Sequence, residues 1–331
     1  MELPIILKQE LEKLLQATKQ KNLKDISQNL TKAYKTQKAT GKKIVTKKEE
    51  VITYANVRMP ATYGAVCYAI EHTKQLVDEK IETLIDVGAG TGAASWAVTS
   101  FIDVKSITCY EREEEMISLG KKLMKVADNN LNQAKWIRLD IAENKIEEKA
   151  DSVIASYSLN ELTEEKRKKV IENLWNITNK ILIIIEPGTP KAFEEILEIR
   201  ENLINKGAKV IAPCSHAKKC QIKKGEDWCH FSCRIQRSSV HRKIKNAELP
   251  YEDEKFMYIA FSKVNIEKQE YQRIIDRPKI EKGYIKLKLC TKDGIENKVI
   301  TKKDKEVYKN AKKSKWGDII MPPRAEKIGT K

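Results

Sequence analysis

No stretch of the 331 residues approaches the roughly 20 apolar residues that a helix needs to span a bilayer, so a helical membrane protein is not expected. The opening run Met1-Glu-Leu-Pro-Ile-Ile-Leu-Lys8 is too short, and too acidic at its start, for a secretory signal; a cytoplasmic location is expected. Internal repeats and low-complexity segments are also missing. Hydrophobic residues make up 41% of the chain and charged residues 33%, which argues against wholesale disorder. That length suits one large α/β domain with an appendage, or two ordinary domains.

Charge is plentiful and unevenly spread. The formal net charge is +16, with 12 Lys against 6 acidic residues in 1–50 and 20 Lys+Arg against 10 acidic residues in 262–331. The stretch between is neutral. Such a distribution suits a folded domain held on a polyanion, because each cation placed on a phosphate releases a condensed counterion. Nucleic acid is therefore the leading expected partner; the simpler reading is a set of solvated helix faces.

Apolar residues at helical spacing, among them Ile5, Leu11, Leu14, Leu15, Leu23, Ile26, Leu30 and Tyr34, predict a basic helical segment over 1–80. Within it, Pro60 suits the first turn of a helix running to about Leu76. From Thr83 the pattern becomes strand, Gly-rich turn, helix, and repeats, which predicts βαβ units and a doubly wound, mostly parallel sheet over 81–262. Strands are expected near 83–87, 105–110, 135–139, 151–156, 180–186, 208–211 and 256–262. Ile181-Leu-Ile-Ile-Ile185 is an unbroken apolar run, as a strand covered on both faces requires. Residues 212–255 form a polar, Cys-containing insertion too long for a hairpin loop. After 262 short β-like runs predict a small basic β-rich segment, with a turn at Asp293-Gly294.

Asp86-Val-Gly-Ala-Gly-Thr-Gly92 ends the first apolar strand, and Gly88, Gly90 and Gly92 supply a turn through which backbone can approach a ligand. A nicotinamide dinucleotide site is one reading, since Gly88-x-Gly90-x-x-Ala93 also fits that looser fingerprint. The placing of Asp86 at the strand tip resembles instead the class I S-adenosylmethionine (SAM) methyltransferase motif, whose acidic residue supports the methionine end of the cofactor. Glu111, ending the second strand, stands where a carboxylate would hold a ribose diol. Asp140, ending the third, resembles an adenine contact or else caps a turn. The Asp/Asn-Pro-Pro-aromatic motif of amino-methylating enzymes is absent from Ala155-Ser-Tyr-Ser-Leu-Asn-Glu-Leu162, so no catalytic residue is named. Asn160 and Glu161 could hold a base, but a carboxylate capping the helix that begins near Thr163 is the expected role.

Of seven cysteines, Cys67 and Cys109 have core contexts. Cys214, Cys220, Cys229, Cys233 and Cys290 sit in or after the polar insertion, where metal ligation is the natural explanation in a reducing compartment. Their spacing lacks Cys-x2-Cys knuckles, and leaves an iron–sulfur cluster and a zinc ion both open. Radical SAM chemistry is disfavoured because Cys-x3-Cys-x2-Cys is absent.

Arg58-Met-Pro-Ala-Thr-Tyr63, Ala155-Ser-Tyr-Ser-Leu-Asn-Glu-Leu162, Ile185-Glu-Pro-Gly-Thr-Pro190, Ala212-Pro-Cys-Ser-His216, Asp227-Trp-Cys-His-Phe-Ser232 and Tyr251-Glu-Asp-Glu-Lys-Phe256 together resemble the Rsm family of small-ribosomal-subunit methyltransferase-like proteins. The resemblance covers roughly 50–320. It implies SAM binding, a [4Fe-4S] cluster, and association with small-subunit ribosomal RNA or the immature small ribosomal subunit. By position it implies Cys214, Cys220 and Cys229 as cluster ligands, with Cys290 as the fourth and Cys233 as a local competitor. Lys218, Lys219, Lys223, Lys224, Arg234, Arg237, Arg242 and Lys243 would then meet RNA phosphates. Trp228, His230 and Phe231 would shield the cluster or stack on bases.

Overall fold

The computed structural model describes residues 1–18, 25–27, 29, 47–245, 247–266 and 270–320. Of the expected helical prelude, Leu23, Leu30, Tyr34 and Lys42-Lys43 lie outside these residues; Ile5–Gln16 forms helix α1.

The central sheet is built from β1 (Thr83–Val87), β2 (Ser106–Glu111), β3 (Lys135–Arg138), β4 (Ala150–Ser156), β5 (Thr178–Pro187), β6 (Lys209–Ala212) and β8 (Tyr251–Ser262), ordered β3-β2-β1-β4-β5-β8-β6. β7 (Phe231–Gln236) extends it by pairing with the first half of β8. The first five strands are parallel, and β8 enters antiparallel between β5 and β6. Ile181 through Ile185 are all buried, as the apolar run required. Helices α3 (Ala93–Thr99), α4 (Glu114–Met124), α5 (Glu164–Ile177) and α6 (Pro190–Asn205) make the crossovers. Thr163 and Thr189 cap α5 and α6 by accepting from Lys166 N and Ala192 N, and Pro190 occupies the first turn, where its missing N–H costs nothing.

One helix departs from expectation. α2 runs Lys48–Lys74, so Pro60 lies in its interior rather than in its first turn. Proline removes the hydrogen bond to the Asn56 carbonyl. The helix persists because Val51, Ile52, Ala55, Val57, Met59, Ala61, Val66 and Ile70 are all buried, a packing gain that outweighs the local cost. Leu7, Leu11 and Leu14 of α1 join the same core as the sheet, so residues on either side of position 80 share one hydrophobic interior.

The C-terminal segment forms a second sheet from β9 (Gln272–Ile274), β10 (Lys279–Glu281), β11 (Tyr284–Thr291), β12 (Gly294–Thr301) and β13 (Ile319–Ile320). β11 and β12 form a hairpin that turns at Lys292-Asp293, one residue before the expected Asp293-Gly294, because Gly294 already pairs with Thr291. Helix α8 (Lys305–Lys313) covers this sheet and had no counterpart in the expected elements; Ala311 is its buried contact. Ile274, Ile285, Leu287, Leu289 and Ile300 form a separate small core, while Cys290 and Ile275 belong to the main one. β11 therefore joins the two layers. The insertion also contains the short helix α7 (Ser239–Lys245).

Candidate functional site

A cleft opens at the carboxyl ends of β1, β2 and β4, the edge where open α/β sheets bind ligands. Its floor is Gly88-Ala-Gly90-Thr91. Gly88 and Gly90 have φ of 66° and 57°, a region side chains rarely enter. A Cβ on Gly88 would stand 2.5 Å from Ser158 Cβ, whereas Gly90 faces open space. The loop is tied to the second strand: Gly88 N and Ala89 N donate to the Tyr110 carbonyl at 2.9 and 3.0 Å.

Glu111 completes that brace and also lines the cleft. Its Oε2 accepts from Gly90 N at 2.8 Å, and its Oε1 from Arg112 N and Glu113 N at 2.8 and 2.9 Å. Burial pushes its pKa up, while these amides pull it back. Of roughly four acceptor positions on a carboxylate, one on Oε2 remains for a hydroxyl in the cleft. Asp140 does two things at once: its Oδ1 caps a turn by accepting from Ala142 N at 2.9 Å, and it faces the cleft.

Asp86 and Gly92 sit behind this surface rather than on it. The Asp86 carboxyl is fully buried; Oδ2 accepts from Ser95 N at 3.0 Å and Ser95 Oγ at 2.7 Å, and Oδ1 has no hydrogen-bond partner among the described residues. Burial pushes its pKa up to about 6. Gly92, at φ 87°, starts α3 where a Cβ would meet Met124 Cε at 2.3 Å. Both residues shape the loop through packing.

The opposite wall comes from Tyr54, Met59 and Thr62 of α2 and from Tyr157 and Ser158 after β4. Tyr157 adopts φ 56°, and its hydroxyl donates to Glu254 Oε1 at 3.1 Å, a carboxylate also held by Arg58. Sequence reasoning did not single out this trio, although each member lies in a quoted family motif. The expected carboxylate cap of α5 is not formed, because Thr163 caps that helix. Asn160 Nδ2 donates instead to buried Glu186 at 2.5 Å, and Glu161 lines the cleft 3.8 Å from Arg112.

Between α6, the insertion and the β11–β12 hairpin, Cys214, Cys220, Cys229 and Cys290 line one apolar cavity with Arg200, Phe193, Leu197 and Met257; its atom-free space, mouth included, is about 390 Å³. Burial, and then the neighbouring thiols, push Cys214 up to about 12 and raise Cys220 and Cys229. Among the described residues no three His, Cys, Asp or Glu side chains form a ready site for a single metal ion. Cys233 lies elsewhere, packed beside Gly64 on α2, and Cys67 and Cys109 are buried in the core.

The aromatic residues near this cavity are packed. Phe231 is fully buried against Tyr68 and Tyr258, Trp228 stacks on His230 at 5.0 Å, and His230 meets Trp316 edge-on at 4.8 Å. Several of the nearby cations already have partners: Arg234 with Asp253, Arg237 and Lys245 with Glu252, Lys218 with Asp293.

Strand order, glycine loop and the acidic tip of the second strand define a class I SAM-dependent methyltransferase fold. The family model for the mitochondrial small ribosomal subunit protein Rsm22 matches residues 48–321, and the chain belongs to that family. It is 24% identical over 291 residues to the human mitochondrial ribosome assembly protein METTL17, covering 81% of this chain. The match spans 62% of that relative's length. Among solved structures, magnesium protoporphyrin IX methyltransferase from Synechocystis with bound SAM is similar at 14% identity, 72% of this chain, 97% of that one and a TM-score of 0.38. The N-methyltransferase NodS from Bradyrhizobium japonicum is similar at 10% identity, 60% and 84% coverage and a TM-score of 0.39. Among the described residues no helix is long and apolar enough to cross a membrane.

Proposed function

We propose that the protein binds SAM in the β1–β2–β4 cleft, carries a [4Fe-4S] cluster on Cys214, Cys220, Cys229 and Cys290, and acts on small-subunit ribosomal RNA during assembly of the small ribosomal subunit. The observation that carries this reading is the presence, in one Rsm22-family chain, of a nucleoside-sized cleft and a four-cysteine cavity. The cleft, with about 1020 Å³ of atom-free space including its mouth, is ample for a cofactor of that size. Gly88 and Gly90 admit the ligand to the backbone, Glu111 offers Oε2 to a ribose hydroxyl, and Asp140 stands at the adenine side. Asp86 supports the loop from below. Bound SAM supplies a methyl group on a sulfonium, and the chain's own part is to position an acceptor beside it.

Cysteine-only donors in an apolar cavity suit an iron–sulfur cluster, which would fasten β11 to the insertion. The exposed lysines of the C-terminal sheet and α8 suit RNA phosphates, and the name of the human relative supports the ribosomal setting.

The test uses full-length protein purified without oxygen and immature small-subunit particles from a deletion strain. SAM binding is measured by calorimetry, and labelled methyl transfer to the particles is followed in parallel. Binding by the wild type and its loss in Gly90→Val supports the cofactor reading; wild-type protein indifferent to SAM sinks it. Methyl incorporation that depends on Gly90 assigns catalysis, and binding without incorporation assigns an RNA-holding assembly factor.

A further inference from the structure

Arg200 on α6 and Arg273 on β9 are the two largest fully buried side chains among the described residues, and neither forms an ion pair there with a carboxylate. Arg200 Nη2 donates to the carbonyls of His216 and Lys218, both at 2.8 Å, and its Nε has no hydrogen-bond partner among the described residues. Arg273 Nε donates to the Pro213 carbonyl at 3.3 Å and Nη1 to the Gly317 carbonyl at 2.8 Å, and its Cζ lies 5.2 Å from the centre of the Tyr271 ring; its Nη2 has no hydrogen-bond partner among the described residues. A buried cation without a counter-charge is heavily penalised, and carbonyl dipoles offset only part of that penalty.

Both guanidinium groups are tied to elements that form the cysteine cavity. Arg200 lines it directly. Arg273 holds the residue before Cys214 and lies opposite Cys290 in the β9–β11 ladder. Four neutral thiols would leave the two positive charges uncompensated. Four thiolates around a doubly positive [4Fe-4S] core carry two net negative charges, which matches two guanidinium ions.

We infer that Arg200 and Arg273 are the counter-ions of the group bound by Cys214, Cys220, Cys229 and Cys290. They are positioning residues that retain its anionic form and ease its one-electron reduction. This rests on the cluster reading proposed above. Reduction adds one electron and a third negative charge, so fixed cations nearby raise the reduction potential. The same residues brace the Cys214 loop through the carbonyls they bind, coupling cluster retention to the geometry of the insertion.

The test compares wild type with Arg200→Met, Arg200→Lys and Arg273→Met, all full length and purified without oxygen. Iron, sulfide and zinc are assayed, the midpoint potential is taken by dithionite titration with electron paramagnetic resonance, and melting is recorded for loaded and chelator-stripped protein. Each Met variant is expected to lose iron to a chelator roughly tenfold faster or more, and to show a lower midpoint potential. Arg200→Lys, which keeps the charge, is expected to stay nearer the wild type. The drop in stability in Arg200→Met is expected to be larger in the loaded protein than in the stripped one. Equal drops in both states, with unchanged potential and iron retention, mark a merely structural role and overturn the inference. Should Arg200→Met fail to fold, Arg273→Met and Arg200→Lys decide the matter. Wild-type protein lacking iron, sulfide and zinc overturns the cluster reading, and this inference with it; a loaded wild type with indifferent arginine variants overturns this inference alone.

Discussion

Arg58 holds Glu254, 196 positions away, through both terminal guanidinium nitrogens at 3.4 and 3.2 Å. The Tyr157 hydroxyl donates to the same carboxylate at 3.1 Å. One partly buried carboxylate therefore joins α2, the loop after β4 and strand β8 at the cleft wall. It also offsets the left-handed backbone of Tyr157, a conformation that costs about 1–2 kcal/mol for a residue with a Cβ. Glu254→Ala is expected to lower stability by about 2 kcal/mol, because it leaves a charged donor with less to bond. Arg58→Met should cost a similar amount, and the double variant about as much as either alone. Urea denaturation of the three variants checks this; strictly additive effects would show that the pair is not cooperative.

Glu186 provides a pH test of the fold beneath the cleft. Its carboxyl is 1% exposed, and burial raises its pKa from 4.5 to about 8, opposed by hydrogen bonds from Asn160 and Leu159 N. A carboxyl whose folded pKa lies above its unfolded value favours the folded state when protonated. Its contribution is complete below about pH 4.5 and is lost as the pH rises through about 8. Asp86, raised to about 6, acts in the same direction over a lower window. The expected slope is at most about 1.4 kcal/mol per pH unit for each group. Glu186→Gln should flatten the fall in stability between pH 5 and 8, and denaturant midpoints across that range measure it. An unchanged slope would mean that Glu186 stays ionised.

The parallel sheet and the glycine turn are legible in the sequence because their signals are local. Ile181–Ile185 is apolar at every position, and Asp86–Gly92 follows a strand directly. Pro60 misleads because a proline inside a helix and one at its start look alike in sequence; what distinguishes them is burial around the whole of α2, which no single stretch displays. Asp86 reads in sequence as facing a ligand, yet the strand tip turns its carboxyl inward to Ser95. Arg200 and Arg273 leave no local signal at all. Arg200 sits in Glu198-Ile-Arg-Glu201, a pattern that reads as a solvated helix face, and Arg273 in a short polar strand. Their burial depends on the insertion and the C-terminal sheet closing over them. Cysteine content alone brings Cys290 into question, but its choice over Cys233 comes only from family resemblance, since β9 and the β11–β12 hairpin bring it back from 61 positions beyond Cys229.

Cysteine variants separate ligands from packing. Cys290 shares the cavity with Cys214, Cys220 and Cys229, whereas Cys233 packs beside α2, where burial pushes its thiol up to about 12. Cys290→Ser is expected to lose nearly all iron from protein prepared without oxygen. Cys233→Ser should retain it, and should cost only about 1 kcal/mol from placing a hydroxyl in an apolar environment. Iron and sulfide assays on both variants, beside their melting curves, check the assignment. Iron held by Cys290→Ser and lost by Cys233→Ser would reverse it.

Salt dependence distinguishes cations that meet RNA from those that hold the fold. Arg234, Arg237 and Lys245 already have carboxylate partners, Asp253 or Glu252, at 2.7 to 2.8 Å. Lys302 and Lys303 in the turn before α8, and Lys312 and Lys313 at its end, are exposed and make no ion pair among the described residues. Taking one lysine away from a phosphate should reduce the slope of log affinity against log salt by about 0.7 on single-stranded RNA or 0.9 on duplex. Replacing these four lysines by alanine should therefore flatten the slope by about 3 if all of them meet phosphates, with the melting temperature little changed. Replacing Arg237 and Lys245 should do the opposite: Glu252 keeps only His241 beside it among the described residues, stability falls, and the slope moves little. Titrations of small-subunit RNA at several salt concentrations separate the two surfaces, because stability and slope respond to different residues. A slope that follows Arg237 and Lys245 instead would move the RNA surface from the C-terminal sheet to the insertion.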